Sequence, residues 1–186
     1  MTNDMSTTIS KVIFNDHTEL QNYYNYIRSS KDADTAIRWR NQFVWELARY
    51  LVGEEIVVYP KLAKYLGDSG QEMAEKNRKE HQVIKEHLYK LQSMKPDNPA
   101  FVPTLDAVMS RLQKHIEEEE NLDYPQLERK MGAERSHKLA KTFERTKILV
   151  PTYSHPSVPN GPRFETIVGL FATPIDTLRD LLRKWP

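Results

Sequence analysis

Five side chains fall where a helix would ordinarily carry leucine or alanine. His17, Glu54, His81, His115 and Glu119 sit on or beside apolar stripes in four different stretches of the chain. An ionised carboxylate in such a place costs several kcal/mol, or is forced neutral, unless something compensates it. His115 and Glu119 are spaced i, i+4, so both lie on one helix face about one turn apart and can reach one inner site. Tyr50 and Glu54 repeat that spacing. Imidazoles and carboxylates converging without sulfur suit iron or manganese, and a carboxylate can bridge two such ions. A pair of irons is the expected occupant, with manganese as the substitute.

Taken singly, a histidine on a helix face is an ordinary core or surface residue, and a run such as Glu117 to Glu120 is an ordinary solvated face. An internal repeat argues for more. Glu54-Glu55-x-x-x-Tyr59-Pro60-x-Leu62, followed by Gly67, recurs as Glu119-Glu120-x-x-x-Tyr124-Pro125-x-Leu127, followed by Gly132. At nearly the same offset Asp16-His17 matches Glu80-His81, and His115 has Tyr50 as its counterpart. The chain thus reads as two helical hairpins related by a pseudo-twofold. Glu55, Glu117, Glu118 and Glu120 are read as surface carboxylates, and His87 and His137, which have no repeat partner, are given no role.

Apolar residues at i, i+3, i+4 and i+7 define the four long helices that must position these groups. The first carries Ile13, His17, Leu20, Tyr24 and Ile27; the second, from about Asp34 to Leu66, carries Phe43, Leu47, Tyr50, Glu54 and Val57, with Gly67 as its cap. The third, from about Gln71 to Met94, carries Met73, Asn77, His81, Ile84 and Leu88. The fourth follows the Pro96 to Pro103 loop with Leu105, Val108, Leu112, His115 and Glu119. Pro60 and Pro125 lie inside the second and fourth patterns, where each must kink its helix or begin a new one. Short links imply antiparallel neighbours. The fold class is all-α: an up-down-up-down four-helix bundle with a following helix over residues 11–148, and a Pro-rich segment with additional C-terminal helices over 149–186 packed on it. Thr173-Pro174 reads as a cap and first-turn proline, and the Leu178, Leu181, Leu182 stripe is expected against the bundle rather than on a membrane surface.

Composition bounds the alternatives. A chain of 186 residues, 39% hydrophobic and 28% charged, is one folded domain rather than a disordered segment. With 27 basic against 26 acidic side chains, the net charge of +1 is no footprint for nucleic acid. No apolar window is long enough to span a membrane, and Met1 to Ser10 reads as no leader. The absence of cysteine removes disulfides and thiolate sites together and fits a reducing, cytoplasmic compartment.

From about residue 11 the chain resembles the hemerythrin-like (HHE cation-binding) family, and most closely its intracellular fungal and bacterial members with a C-terminal extension. The resemblance rests on Phe14-Asn15-Asp16-His17, Gly53-Glu54-Glu55 with Tyr59-Pro60, Glu80-His81, and His115-Ile116-x-x-Glu119-Glu120 with Tyr124-Pro125. It extends to Val150-Pro151-Thr152-x-Ser154-His155-Pro156 and the closing Phe164 to Pro186 stretch. It implies a four-helix bundle around a non-haem di-iron centre that binds dioxygen, nitric oxide or iron itself, with His17, Glu54, His81, His115 and Glu119 as ligands. Two positions depart from the family's pattern: Tyr50 stands where a histidine is expected four residues before Glu54, and Asn77 where one is expected four residues before His81. Tyr50, Asn77 and His155 are therefore further candidates, Tyr50 as a phenolate ligand and His155 as part of a cavity wall. Three classes stay open: a binding protein for a small ligand, an oxidase or oxygenase acting on a small organic substrate, and a structural bundle with a vestigial site.

Overall fold

A computed structural model describes residues 7–156 and 174–186. The helices begin where side chains cap them. Thr8 accepts from the Lys11 N–H at the start of α1 (Ile9–Ser29), and Asp32 accepts from the Thr35 N–H, at 2.8 Å, at the start of α2 (Ala33–Gly53). Beyond Gly53 the chain continues through a π turn, Glu54–Val58, into α3 (Tyr59–Leu66). Pro60 has no N–H, and its ring opposes the carbonyl four residues back, so the hydrogen-bond ladder must shift there. The Tyr59 N–H reaches the Glu54 carbonyl instead, closing a turn one residue wider than an α-turn. The second hairpin repeats the device: α5 (Phe101–Glu118) passes through a π turn, Glu119–Asp123, in which the Tyr124 N–H bonds the Glu119 carbonyl, into α6 (Tyr124–Met131). The kinks expected at Pro60 and Pro125 are thus both π turns.

Gly67 and Gly132, at φ 64° and 83°, are the only residues with positive φ among those described, and each lets the chain reverse without a Cβ penalty. They lead into α4 (Asp68–Leu91) and α7 (Ala133–Lys147). Two boundaries differ from the sequence reading. The third helix starts at Asp68, directly on Gly67, and ends at Leu91. The fourth starts at Phe101, because Pro103 sits in its first turn, where a missing N–H goes unneeded.

α1, α2–α3, α4 and α5–α6 form the antiparallel bundle, with α7 packed on α1, α2 and the first π turn. Ile13, Leu20, Phe43, Leu47, Ile84, Leu88, Leu105 and Leu112 are buried in its core. Each contributes about 1.5–3 kcal/mol by leaving water. These residues flank the polar side chains on the same stripes, so the burial that folds the bundle also holds the candidate ligands inside it.

The C-terminal part attaches by its polar edge. In the helical segment 174–180, buried Asp176 accepts the backbone N–H groups of Thr152 and Tyr153 at 3.2 and 3.3 Å. Leu178, Leu181 and Leu182 are 66, 78 and 87% exposed, which corrects the expectation that this stripe packs on the bundle. A carboxylate with several donors in reach takes the inner side of so short a helix, and the leucines turn outward. The Pro-rich stretch beyond residue 156, the Phe164 to Thr173 part of the resemblance and the Thr173 cap lie outside the described residues. No described helix is long and apolar enough to cross a membrane.

Candidate metal centre

Glu54 and His115 stand in the last turns before and within the two π turns, and α1 and α4 bring the remaining groups to them. Glu54, His81, His115 and Glu119 each place one ligand atom within 4.8 Å of the others, and all four side chains are buried. His81 Nε2 and His115 Nε2 are 2.9 Å apart. His115 Nε2 lies 3.2 Å from Glu119 Oε1, and His81 Nε2 lies 3.4 Å from Glu54 Oε2. His17, the fifth expected residue, borders this group, with Nε2 3.6 Å from Glu119 Oε2.

The outward nitrogen of each histidine meets a carboxylate. His17 Nδ1 is 2.7 Å from Glu120, His81 Nδ1 is 2.9 Å from Glu55, and His115 Nδ1 is 2.8 Å from Glu80. Glu55 is in turn gripped by the Lys85 ammonium at 2.5 and 2.7 Å. A carboxylate behind an imidazole keeps a proton on Nδ1 and turns Nε2 toward the site. This corrects the reading of Glu55 as a surface carboxylate, for it is fully buried; Glu120 keeps its surface place, 36% exposed, while bonding His17. The signal was present in the doubled glutamates of the repeat, but 100° of helical rotation would send neighbouring residues to different faces. Glu118, turned from the centre, pairs with Lys76. His87 and His137 bond the Val83 and Thr7 carbonyls, away from the cluster.

Tyr50, Tyr59 and Tyr124 all aim hydroxyls inward and are fully buried. Tyr50 donates to Glu119 Oε2 at 2.7 Å, and its oxygen is 2.7 Å from His17 Nε2, so it sits between the two residues its position would link. Tyr59 lies 2.7 Å from His81 Nε2, and Tyr124 donates to Glu54. Tyr59 and Tyr124 are repeat counterparts that the sequence reading used as landmarks without a role. Asn77 turns from the cluster and donates to Asp123 at 2.7 Å. His155 also stands apart, 2.9 Å from Asp176, where it fastens the C-terminal segment.

The electrostatics ask for a cation. Burial pushes Glu54 up, and the Glu119 charge pushes it further. Burial would raise Glu119 too, but the His115 and His17 imidazoles hold it well below the ordinary carboxylate range. Burial opposes charge on His115, yet Glu119 and Glu80 lift it well above an ordinary histidine. Burial and the two glutamates likewise hold the Tyr50 hydroxyl in its neutral, donating form. With both Nδ1 atoms committed to carboxylates, the facing Nε2 pair of His81 and His115 can be held together only by a proton or a metal ion. Glu54 Oε2 is buried beside them with no hydrogen-bond partner. This set of nitrogen and oxygen donors fits a borderline first-row ion such as iron.

The Hemerythrin HHE cation binding domain profile matches residues 8–127. The chain is 62% identical over 180 residues to an uncharacterized hemerythrin-like protein of Schizosaccharomyces pombe, an alignment covering 97% of this chain and 89% of that one. It is also 21% identical over 140 residues to a DNA nickase of Nostoc, covering 75% of this chain and 39% of that one. No solved structure matches. A bundle of this kind, with buried histidines and glutamates at its centre, is a cation-binding helical domain. The chain belongs to the hemerythrin HHE cation-binding family.

Proposed function

We propose that this protein is a non-haem iron protein whose centre binds dioxygen, nitric oxide or iron itself. The observation that carries the reading is the facing His81 and His115 Nε2 pair beside Glu54 Oε2, which lies 3.4 Å from His81 Nε2 and accepts no hydrogen bond. Glu54, His81, His115 and Glu119 would hold one ion; His17 and Tyr50, with a share of Glu119, offer the weaker donor set for a second. Bound iron would supply an electron-rich centre for a small diatomic ligand. The chain's own contribution is orientation and exclusion of water. Glu55, Glu80 and Glu120 aim the imidazoles, while the Tyr50 and Tyr124 hydroxyls hold Glu119 and Glu54 and the Tyr59 hydroxyl meets His81. Replacing histidine by Tyr50 makes the His17 end poorer in nitrogen and richer in hydrogen-bond donors, which is the altered half of the centre.

The test is elemental analysis of protein made in iron-supplemented cells, paired with its absorption spectrum. Iron at roughly one to two per chain is expected for a carboxylate site in a bundle core, with near-ultraviolet absorption from a diferric pair and a visible band if Tyr50 ligates as phenolate. Absence of any stoichiometric transition metal after reconstitution would leave only the structural bundle.

A further inference from the structure

Continuing the repeat's register beyond the centre pairs Asp16 with Glu80, Glu46 with Arg111, and Arg49 with Lys114. In the first hairpin this place is acidic and filled. The Lys147 ammonium, from α7, reaches Asp16 at 2.6 Å and also pairs with Glu46, and all three side chains are buried. In the second hairpin the charge is reversed and the place is open. A cleft of about 290 Å³ lies between α4 and α5, with Lys79, Arg111 and Lys114 at its rim and Val83 and Ile84 on its wall. It reaches Glu80 and His115. Its one carboxylate, Glu80, is already engaged with His115 at 2.8 Å, and the three rim cations form no ion pair among the described residues, whereas neighbouring Lys76 pairs with Glu118.

We propose that this cleft binds a small organic carboxylate. The apolar wall would take the carbon skeleton, and the Lys79, Arg111 and Lys114 side chains the anion, Arg111 offering the planar fork that suits a carboxylate. The volume is at the small end for ligand sites, so the guest is a compact acid rather than a nucleotide or a lipid. Because His115 turns Nε2 inward and gives Nδ1 to Glu80, the guest lies against the outer edge of the centre and is not one of its ligands. The site stands on this chain's own residues and does not depend on the metal reading.

The experiment is a titration of ¹⁵N-labelled protein with benzoate, followed by amide shifts at low salt, with benzamide as the neutral isostere and metal content measured on the same samples. Shifts concentrated on residues 79–84 and 111–115 with benzoate, and absent with benzamide, are expected. Arg111→Gln combined with Lys114→Gln should weaken benzoate by at least about tenfold, while Lys138→Gln, on a different face, should leave it unchanged. Equal response to benzamide, or undiminished benzoate binding by the double variant, would overturn the proposal. Protein that takes up no stoichiometric transition metal after reconstitution, yet still binds benzoate in the cleft, would support this site and remove the iron reading. Protein loaded with diamagnetic zinc, which leaves the amides beside His81 and His115 visible, that shows no shifts there would overturn this site alone.

Discussion

Around the Lys147 ammonium, α1 and α2 hold Asp16 and Glu46; at the same register α4 and α5 hold Glu80 and Arg111 beside an open cleft. The contrast runs into the centre. The second hairpin contributes two imidazoles whose Nε2 atoms lie 2.9 Å apart, whereas the first contributes one imidazole and a phenol 2.7 Å apart. Yet the two halves share their backbone plan, each with a glutamate opening a π turn and a Tyr-Pro pair closing it. A duplicated backbone preserves where side chains are aimed, and leaves each half free to change what it aims. Here the first half has become a structural anchor for α7, and the second keeps the richer ligand set and an opening to solvent.

The largest expected effect is at the residue the two halves share. Glu119→Ala should abolish retention of at least one metal ion and with it the thermal stabilisation that iron gives, about 2.7 kcal/mol at a hundredfold excess over Kd. Glu118→Ala, one residue away and paired with Lys76, should do neither; equal metal loss in both, by elemental analysis, would mean that the helix phase is misassigned. Next is the anchor. Lys147→Met leaves two buried carboxylates facing each other and should cost about 3 kcal/mol or more in urea denaturation, while Lys114→Met in the open half should stay within about 0.5 kcal/mol. Comparable losses would erase the distinction between filled and open places.

Tyr50 sharpens the comparison at the centre. Tyr50→Phe removes the two buried hydrogen bonds of its hydroxyl, with His17 Nε2 and to Glu119 Oε2, each worth about 1 kcal/mol, and should change metal content or the visible spectrum. Tyr50→His should raise iron occupancy by making the first half resemble the second. An unaltered spectrum in the first variant and no gain in the second would make Tyr50 a packing residue only. A pH slope probes the filled half directly. Burial outweighs the Lys147 charge and raises Asp16 from 3.8 to about 6. The folded metal-free protein therefore binds more protons than the unfolded chain in that window, so this group's contribution is complete below pH 3.8 and lost as pH rises through about 6. Asp16→Asn should remove this fall from the pH dependence of the denaturation midpoint; a parallel profile in both proteins would contradict it.

The helices and the inward phase of His17, Glu54, His81, His115 and Glu119 were legible because both follow from a 3.6-residue period written into the side chains. The repeat made Tyr50 the counterpart of His115, and the structure brings both into one hydrogen-bonded group. Glu55 was misread for a local reason: an α-helix cannot send adjacent residues to one centre, but here the second residue of each doubled pair, Glu55 buried and Glu120 at the surface, backs a histidine from a neighbouring helix. His155 was singled out by chemistry, yet Asp176, twenty-one residues further on, takes it.

What the sequence by itself determined is periodic or punctual: bundle class, the two glycine reversals, the prolines that shift the ladder, and the five residues whose polarity contradicts their face. The fold alone settled partnerships across helices: which carboxylate stands behind which imidazole, that Lys147 fills one half and nothing from the described chain fills the other, and that Asp176 rather than the Leu178 stripe turns inward, onto the 152–155 stretch. Those choices depend on distances between segments far apart in the chain, where a buried charge takes the nearest compensating group whatever its place in the sequence.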